Sequence, residues 1–531
     1  MTDFRAPAAC SRRDLLAALT LSAGGLLLPA TSRTATGPVL TTRSGRLQGA
    51  THQGIHRFLG IPYGDDTAPT RFLAPRRERA WQGLRPALAY GPAAPQNSAE
   101  GPGSEDCLRL NVWTPSMGQG RRPILVYIHG GGFNNGSGSD PLYDGTRLCL
   151  LGDVVVVTVN HRLNAFGYLH LGDLDPALAD AGNAGQLDLI AALHWVREHA
   201  EAIGGDPDCV TLFGQSGGGA KIATLMAMPA AEGLFHRAWT MSGQQVTAAG
   251  PRAATQRAQR LLDHLGLSSA RDLCTLPAAT LLQAVAAVRD PSRVEDMALY
   301  LGPVLDGHHL PRHPFWPEAP AAAATVPMVI GNTRDETRAF LGRDPAHHRL
   351  DWDQLPARLE AQQYVDLPVA RVIDFYRRTY PHYSPAEVFF AATTAGRSWR
   401  GAVEELEARA RQGAPTWAYQ LDWYDAGGPK ADLRAFHTLD IPLVFANTHL
   451  PGADSGDGPE ARRMADRLSA ALLHFARHGT PQAPGLEHWT PWQLPQRSTL
   501  VLDGQVQVVD DPRGAERIFW QQGPFLQRGT A

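Results

Sequence analysis

The fold can be read from one stretch, Val210-Thr211-Leu212-Phe213-Gly214-Gln215-Ser216-Gly217-Gly218, in which an apolar run ends in the pattern Gly-x-Ser-x-Gly. The apolar run predicts a strand, and a helical stretch follows from Ala220 to Met228. A tight turn between a strand and a helix exposes the serine hydroxyl, so that it can act as a nucleophile. Glycines flank it because side chains there would crowd the backbone. The stretch therefore predicts a nucleophilic serine, Ser216.

A phosphate-binding loop is the alternative interpretation of this glycine run, because Lys221 follows it. Such a loop requires Gly-Lys followed by Ser or Thr. The chain instead has Gly219-Ala220-Lys221-Ile222, with an alanine inserted and no hydroxyl. The spacing favours the nucleophile.

Strands alternate with helices on both sides of this turn. The predicted strands are short apolar or β-branched runs: Ile124 to Ile128, Val154 to Val159, Val210 to Phe213, Pro327 to Ile330, Trp417 to Leu421 and Thr499 to Leu502. A helix is predicted from Gly185 to Ile203, where apolar residues recur at spacings of three and four. This order predicts an α/β fold with a mostly parallel sheet flanked by helices. A helical insertion is predicted at about residues 343–412.

Composition excludes several classes of protein. The 531 residues have a formal net charge of −3, with 43% hydrophobic and 19% charged residues. Nucleic-acid binding needs a basic surface, so no nucleic-acid partner is expected. No run of twenty apolar residues follows the N-terminal region, so no stable membrane insertion is expected. The cysteines and histidines lack zinc-site spacing, and neither a metal nor a cofactor is predicted.

The first 35 residues have the pattern of an export signal. Arg12-Arg13 precedes a short apolar stretch, Leu15 to Leu28, that is interrupted by Gly24-Gly25. This pattern is typical of twin-arginine signals, and the stretch is short for a membrane anchor. An amphipathic N-terminal helix is the alternative. The sequence therefore predicts an exported protein, periplasmic or secreted, after removal of residues 1–35.

A second glycine cluster, His129-Gly130-Gly131-Gly132-Phe133, follows the predicted strand at Ile124 to Ile128. A tetrahedral intermediate of acyl transfer carries negative charge on the former carbonyl oxygen. Backbone N–H groups can converge on that oxygen only where side chains are absent. A flexible glycine loop is the alternative, but the downstream Gly-x-Ser-x-Gly pattern favours an oxyanion hole.

The chain resembles the type-B carboxylesterases, which include the cholinesterases and bacterial para-nitrobenzyl-type esterases. The resemblance begins at about Gly45 and continues to the C-terminus. Its ordered motifs include Phe58-Leu59-Gly60-Ile61-Pro62-Tyr63, Ser104-Glu105-Asp106-Cys107-Leu108, Asn111-Val112-Trp113, Asn160 to Gly167, and Gly204-Gly205-Asp206-Pro207. The resemblance implies the α/β-hydrolase fold and a single catalytic domain at residues 36–531.

The resemblance also implies the partners of Ser216 in a catalytic triad. The family's acid lies in an Asp-Glu-Gly sequence after a strand. The match here is Asp335-Glu336-Thr337, which makes Glu336 the acid and Asp335 the alternative. The family's histidine precedes an Asp-Ile-Pro-like stretch, which selects His437 before Asp440-Ile441-Pro442. Without the resemblance, nothing in the pattern distinguishes His437 among twenty histidines.

The remaining site residues are implied in the same way. The N–H groups of Gly131, Gly132 and Gly217 correspond to the family's oxyanion hole. Ser242 matches a serine that supports the triad from behind, and a simple core hydroxyl is an equally good interpretation.

These assignments predict a serine carboxylesterase that hydrolyses small-molecule carboxylic esters through an acyl-enzyme intermediate. A carbamate or amide hydrolase is the alternative, because the same triad serves those bonds. A non-catalytic, cholinesterase-like binding protein is disfavoured because Ser216, Glu336 and His437 are all present. The sequence predicts no particular oligomeric state.

Two departures from the family carry further expectations. In relatives the cysteine matched by Cys107 pairs with one in a Gly-Pro-Ala-Cys-Pro-Gln-like stretch, where this chain has Ala94. Cys107 is therefore predicted to be a free thiol. The intervening residues, Pro95 to Asp106, contain no aromatic side chain. Cholinesterases place there a tryptophan that binds quaternary ammonium, so uncharged short-chain or aryl esters are expected to be preferred over choline esters.

Overall fold

The computed structural model describes residues 37–525 and 527, except residues 99, 100, 102, 290–298 and 363–366. The predicted export signal, residues 1–35, lies outside the described residues. The described residues cluster as one unit by their contacts. Within the described ranges, no helix is long and apolar enough to cross a membrane.

Fourteen strands occur among the described residues. They are β1 (Val39–Thr41), β2 (Arg46–Gln48), β3 (Ala50–His52), β4 (Ile55–Pro62), β5 (Leu84–Pro86), β6 (Arg109–Thr114), β7 (Arg122–Ile128), β8 (Val155–Val159), β9 (Gly205–Gln215), β10 (Arg237–Met241), β11 (Met328–Thr333), β12 (Thr416–Leu421), β13 (Ser498–Leu502) and β14 (Gln507–Asp510).

The helices lie mostly between these strands. They are α1 (Thr146–Gly152), α2 (Asn164–Tyr168), α3 (Ala184–His199), α4 (Gly217–Leu225), α5 (Pro251–Leu265), α6 (Ala278–Ala287), α7 (Arg338–Leu341), α8 (Leu355–Gln362), α9 (Val369–Thr379), α10 (Pro385–Thr394), α11 (Arg400–Gln412), α12 (Asp440–Val444), α13 (Pro459–His478) and α14 (Gly514–Trp520).

Eleven strands form one sheet in the order β14-β13-β12-β11-β10-β9-β7-β8-β6-β4-β3. Neighbouring strands from β8 through β7 and β9 to β13 are parallel, and the outer pairs are antiparallel. Strands β1, β2 and β5 form a separate small sheet. The predicted α/β class with a mostly parallel sheet is confirmed.

Both faces of the large sheet are buried, which explains why its strands are continuous apolar runs. In β7 the side chains of Ile124, Val126 and Ile128 join the core on one face. Leu125 and Tyr127, between them, join the core on the other face. Helix α3 packs on the first face and α13 on the second. The sheet is therefore held from both sides, and its strand ends are rigid positions for a site.

Three boundaries differ from the sequence prediction near the first motif. The strand predicted at Val210 to Phe213 extends over the whole of β9, because β7 and β10 pair with it on both sides. The following helix begins at Gly217, three residues before the predicted start. Glycine is a weak helix former, and here the fold overrides that preference. Helix α3 ends at His199, before the predicted Ile203.

Helices α7 to α11 lie between β11 and β12 along the chain. Side chains of α8, α9 and α10 form a cluster of their own together with Phe519 and Trp520 of α14. Helix α11 instead packs Ala402 and Leu406 into the core on one face of the sheet. The inserted segment is thus attached to the sheet at its C-terminal end.

Cys107 is a free, fully buried thiol, as predicted from Ala94. Burial raises the pKa of this thiol well above its ordinary value. Cys149, Cys209 and Cys274 are also free thiols. No disulfide therefore constrains the described part of the chain, and the fold depends on its apolar core.

Candidate active site

Ser216 lies on the turn between β9 and α4, with backbone φ 55° and ψ −125°. This is a conformation that side-chain-bearing residues rarely adopt, and it costs on the order of 1–3 kcal/mol. The turn is stabilised by the end of β10, since the Ser216 N–H donates to the carbonyl of Met241 at 2.7 Å. The carbonyl of Ser216 accepts from the N–H of Ala220 at 3.1 Å. These contacts present the side chain at the carboxyl end of the sheet.

The glycines after Ser216 are required by close backbone contacts. A Cβ atom on Gly217 would lie 2.1 Å from the carbonyl oxygen of Gly132. A Cβ atom on Gly218 would lie 1.9 Å from the carbonyl oxygen of Ile128. Both distances are far below van der Waals contact. The end of β7, the glycine loop after it and the start of α4 can meet only because these side chains are absent.

The glycine loop turns directly after β7 and faces Ser216. Gly131 and Gly132 have φ values of 82° and 60°, in the left-handed region that glycine adopts without cost. The N–H groups of Asn134 and Asn135 each donate to the Gly131 carbonyl at 3.2 Å, which closes the loop. Gly217 is the first residue of α4, so its N–H has no partner within the helix. The three predicted oxyanion residues line one cavity with Ser216.

Glu336 and His437 are in direct contact, although 101 positions separate them in the chain. The Glu336 carboxylate contacts Nδ1 of His437, and both side chains are buried. Its other oxygen accepts from the Thr333 N–H at 3.0 Å and from the Asn332 side-chain amide at 3.2 Å. Glu336 follows β11, and His437 lies in the connection after β12. Since β11 and β12 are parallel neighbours, their carboxyl ends place the two residues together.

The pKa of Glu336 is lowered despite complete burial. Burial alone would raise the pKa of this carboxyl group. The electrostatic interaction and hydrogen bond with the His437 imidazole, together with the Thr333 N–H, outweigh burial and favour the carboxylate. The Ser242 side chain is buried and lines the same cavity as Glu336. The alternative acid, Asp335, pairs instead with Arg338 at 3.2 Å.

Gln215 is a site residue that the sequence prediction missed. Its side-chain amide nitrogen lies 3.1 Å from Nε2 of His437. The Glu336 carboxylate can only accept a hydrogen bond, so Nδ1 of His437 carries the hydrogen and Nε2 carries the lone pair. The Gln215 amide is placed to donate to that lone pair. Gln215 occupies the variable position of Gly-x-Ser-x-Gly, so the motif carries no signal for it.

Lys221 lies behind the glycine loop and is fully buried. Its Nζ donates to the carbonyl of His129 at 3.1 Å. Burial lowers the pKa of Lys221 to about 7. Burial and the Lys221 charge lower the pKa of His129 to about 3, and the His129 ring stacks on His161 with centroids 4.8 Å apart. The amine therefore supports the loop from inside, which is not the exposed position that a phosphate-binding lysine needs.

A cavity of about 560 Å³ opens over Ser216. One part of its wall is apolar or aromatic and the other is polar. The first part includes Phe133, Ala220, Leu301 and Phe340, and the second includes Gln215, Gln244, Arg397 and Ser398. The described residues include no cluster of three or more His, Cys, Asp or Glu side chains that could hold a metal ion.

Comparisons with known proteins identify the family. The model of the carboxylesterase family matches residues 36–520. A para-nitrobenzyl esterase of Bacillus subtilis is 37% identical over 497 residues, which cover 90% of this chain and 97% of the relative. A phenmedipham hydrolase of Pseudarthrobacter oxydans is 32% identical, and the match covers 90% of this chain and 97% of that relative.

Solved structures give the same result. A carboxylesterase of Geobacillus stearothermophilus has a TM-score of 0.81 and 38% identity, and 91% of this chain and 100% of that chain are covered. A para-nitrobenzyl (PNB) esterase has a TM-score of 0.79 and 36% identity, and the match covers 91% of this chain and 99% of that chain. The resemblance predicted from the motifs is confirmed. This chain belongs to the carboxylesterase family and is a serine carboxylic-ester hydrolase of the α/β-hydrolase fold.

Proposed function

We propose that Ser216, His437 and Glu336 are the catalytic triad of this esterase, with the N–H groups of Gly131, Gly132 and Gly217 as its oxyanion hole. The observation that carries the proposal is the convergence of all six residues on one cavity. The pairing of Glu336 with Nδ1 of His437 supports it further, because a carboxylate can only accept a hydrogen bond there, which leaves the lone pair of the neutral imidazole on Nε2.

The chemistry proceeds in two halves. Ser216 Oγ attacks the ester carbonyl carbon, and Nε2 of His437 accepts the hydroxyl proton. The carbonyl oxygen becomes an oxyanion, which the three glycine N–H groups stabilise. His437 then gives its proton to the departing alcohol oxygen, and an acyl-enzyme remains. In the second half, water attacks the carbonyl carbon of the acyl-enzyme while His437 accepts its proton. His437 then returns the proton to Ser216 Oγ as the carboxylic acid is released.

Glu336 acts through the imidazole. Its carboxylate holds Nδ1–H of His437 and stabilises the imidazolium that forms during attack. Since the pKa of Glu336 is lowered, the carboxylate is charged throughout the neutral range. Lys221 supports the start of the glycine loop through the His129 carbonyl.

Uncharged esters of short acyl chains or aryl alcohols are the proposed substrates, in preference to choline esters. The absence of an aromatic residue from Pro95 to Asp106 supports this preference, since an aromatic face at that place would attract a quaternary ammonium. A larger kcat/KM for a choline ester than for its neutral 3,3-dimethylbutyl isostere would contradict it. Carbamates belong in the same panel, because a relative is named phenmedipham hydrolase.

The test of the triad is a rapid-mixing experiment with a 4-nitrophenyl ester. Wild-type enzyme should release a burst of nitrophenol, one per active site, if acylation is faster than hydrolysis of the acyl-enzyme. Ser216→Ala should show neither burst nor turnover, with a folded-state circular dichroism spectrum like that of the wild type. A normal turnover rate in that variant would overturn the proposal.

We also propose that the chain is exported through a twin-arginine route. The support is the pair Arg12-Arg13 before a weakly hydrophobic stretch, in a segment outside the described residues. Replacement of both arginines by lysine should leave precursor in the cytoplasm, as seen by fractionation. Undiminished export of that variant would contradict this proposal.

A further inference from the structure

We propose that the buried ammonium group of Lys221 stabilises the oxyanion from behind the glycine loop. The inference rests on the proposed function, because it adds a residue to the same oxyanion hole. Lys221 is fully buried and lies outside the described wall of the cavity over Ser216. It therefore touches no substrate and gives up no proton in the reaction. It acts through the loop, as a positioning residue whose charge reaches the oxyanion.

Lys221 contacts the glycine loop at both ends. It is the fifth residue of α4, and its Nζ donates to the carbonyl of His129 at 3.1 Å. The same nitrogen stands over the ring of Phe133, 5.6 Å from the ring centroid, which is within the range of a cation–π attraction. His129 and Phe133 directly precede and follow the three glycines. One cation is thus in contact with the loop where it begins and where it ends.

The geometry of the chain limits the distance between this cation and the oxyanion donors. One residue, Gly130, separates the His129 carbonyl from the N–H of Gly131. By standard bond lengths, that N–H lies within about 9 Å of the Lys221 Nζ. In a protein interior, a unit charge at such a distance changes the energy of an oxyanion by the equivalent of about tenfold in rate. Burial of Lys221 keeps mobile ions from screening its charge.

The titratable side chains that face Lys221 are neutral imidazoles. They are His129, after β7, and His161, after β8, whose rings stack with centroids 4.8 Å apart. Burial and the Lys221 charge lower the pKa of both rings, that of His129 to about 3. Arg162 after β8 and Asp188 on α3 pair with each other at 2.6 Å. Among its described contacts, the Lys221 ammonium thus meets a carbonyl and an aromatic ring rather than a carboxylate.

Attack on an ester separates two charges, and a buried group of opposite sign lies behind each. The imidazolium forms on His437, which contacts the Glu336 carboxylate. The oxyanion forms at the glycine N–H groups, behind which Lys221 lies. The ester carbonyl is neutral before attack, so the Lys221 charge gains interaction energy only as the transition state forms. Such an interaction raises kcat and leaves KM nearly unchanged.

Two variants separate the charge of Lys221 from its hydrogen bond. Lys221→Gln keeps an N–H donor for the His129 carbonyl without the charge, and Lys221→Met removes both. The measured quantities are kcat and KM for 4-nitrophenyl acetate at about pH 6 and about pH 9. Both halves of the reaction pass through an oxyanion, so kcat reports its stabilisation whichever half is slower.

The expected signature is a difference that depends on pH. At about pH 6 the wild-type amine is charged, because its pKa is about 7, and both variants should have a kcat about tenfold lower than wild type. At about pH 9 the wild-type amine is neutral as well, so the three values of kcat should agree within about twofold. In wild type, kcat should fall between about pH 7 and about pH 9, which is measurable even if a variant fails to fold.

Lys430→Met is the matched control, because it removes the same charge from an exposed position on the connection after β12. This variant should keep wild-type kcat at both pH values. A trifluoromethyl ketone gives an independent measurement, since Ser216 adds to its carbonyl and forms a stable oxyanion. At about pH 6 this ketone should bind both Lys221 variants about tenfold more weakly than wild type. The corresponding methyl ketone, a poor electrophile, should bind all three proteins equally.

The outcomes separate this inference from the proposed function. Wild-type kcat in Lys221→Gln at about pH 6 would show that the hydrogen bond alone matters, and it overturns the role of the charge. A loss of the same size at both pH values indicates a displaced loop and overturns that role as well. A wild-type kcat that rises from about pH 7 to about pH 9 also contradicts it. If wild-type enzyme hydrolyses no ester, or Ser216→Ala retains activity, the proposed function itself is wrong.

Discussion

The two sides of the catalytic cleft are built by different physical means. On the Ser216 side, residues 129–132 and 214–218 approach one another through backbone atoms, and the site exists because side chains are missing. On the His437 side, charge and a hydrogen bond join Glu336 to His437, which lies far away in the chain, and the nearby Thr333 N–H also binds Glu336. The first side should be intolerant of added volume, and the second should be intolerant of lost charge.

The buried charges of the two sides also differ. Glu336 is compensated by His437 and the Thr333 N–H, which hold the pKa of its carboxyl group down. Lys221, beneath the glycine loop, donates to one carbonyl, and burial lowers the pKa of its amine to about 7. A buried anion on one side is thus stabilised in its charged form, and a buried cation on the other is destabilised in that form.

The largest expected effect tests the charge of the His437 side. Glu336→Gln keeps the shape of the side chain but removes the charge, so it no longer favours the required tautomer of His437. Loss of this function in a triad lowers kcat on the order of 10⁴-fold. The measurement is kcat for a 4-nitrophenyl ester.

Asp335→Asn is the matched control for that prediction. It makes the same kind of change one residue earlier, where the carboxylate pairs with Arg338. This variant should lose some stability and retain kcat within a few-fold at a temperature where it is folded. A greater loss of kcat in Asp335→Asn than in Glu336→Gln would reverse the assignment of the acid.

A smaller effect is expected from added volume on the Ser216 side. Gly217→Ala would place a methyl group 2.1 Å from the Gly132 carbonyl oxygen, so the glycine loop must move and the oxyanion donors lose alignment. Misplacing one donor costs on the order of 10²–10³-fold in kcat. The expected signature is a lower kcat with little change in KM.

Gly233→Ala is the control for a general effect of replacing glycine. Gly233 has φ 72°, and a Cβ atom there would contact nothing within 4 Å. This variant carries backbone strain, which lowers the melting temperature without affecting kcat. If Gly217→Ala also retained wild-type kcat, close backbone contact would not be what builds the oxyanion hole.

The smallest expected effect concerns the buried cation. Between about pH 7 and its ordinary pKa of 10.5, Lys221 is deprotonated in the folded chain and protonated in the unfolded chain. The unfolded state then binds more protons, so the Lys221 contribution to the free energy of unfolding rises with pH across this window and is lowest below it. The free energy of unfolding of Lys221→Met should therefore increase relative to that of wild type as pH falls.

The comparison is made from denaturant unfolding at about pH 6 and about pH 9. On going from about pH 9 to about pH 6, the free energy of unfolding of Lys221→Met should rise relative to that of wild type by on the order of 2 kcal/mol. Lys430, the only other lysine in the chain, is exposed. Lys430→Met should show no such shift. An equal difference at both pH values for Lys221→Met would show that its pKa is not lowered.

The contrast between the two sides also explains what the sequence could predict. The Ser216 side is local in sequence and is marked by glycines, so its strand, turn and glycine loop follow from residue patterns. The His437 side joins residues separated by an inserted segment, and no spacing rule connects them. There Glu336 and His437 could be predicted only from the resemblance to a family.

Residues without a pattern were missed for the same reason. Gln215 stands at the variable position of its motif, and its contact with His437 arises only when β12 lies in the same sheet as β9. Arg397 reaches the cavity through a π-helical turn that has no sequence signature. Lys221 suggested a phosphate loop as an alternative, and only its burial shows that it faces the His129 carbonyl. The length of β9 was likewise set by its neighbours rather than by its own residues.

The most direct test of the proposed triad is covalent labelling of the native enzyme with a fluorophosphonate, followed by mass spectrometry of the digest. Such a reagent reacts with a serine only where a general base and an oxyanion hole surround it. We expect one label per chain, on Ser216, with complete loss of esterase activity, and no label in Ser216→Ala. A label on another residue such as Ser242, or full activity in a stoichiometrically labelled enzyme, would contradict it.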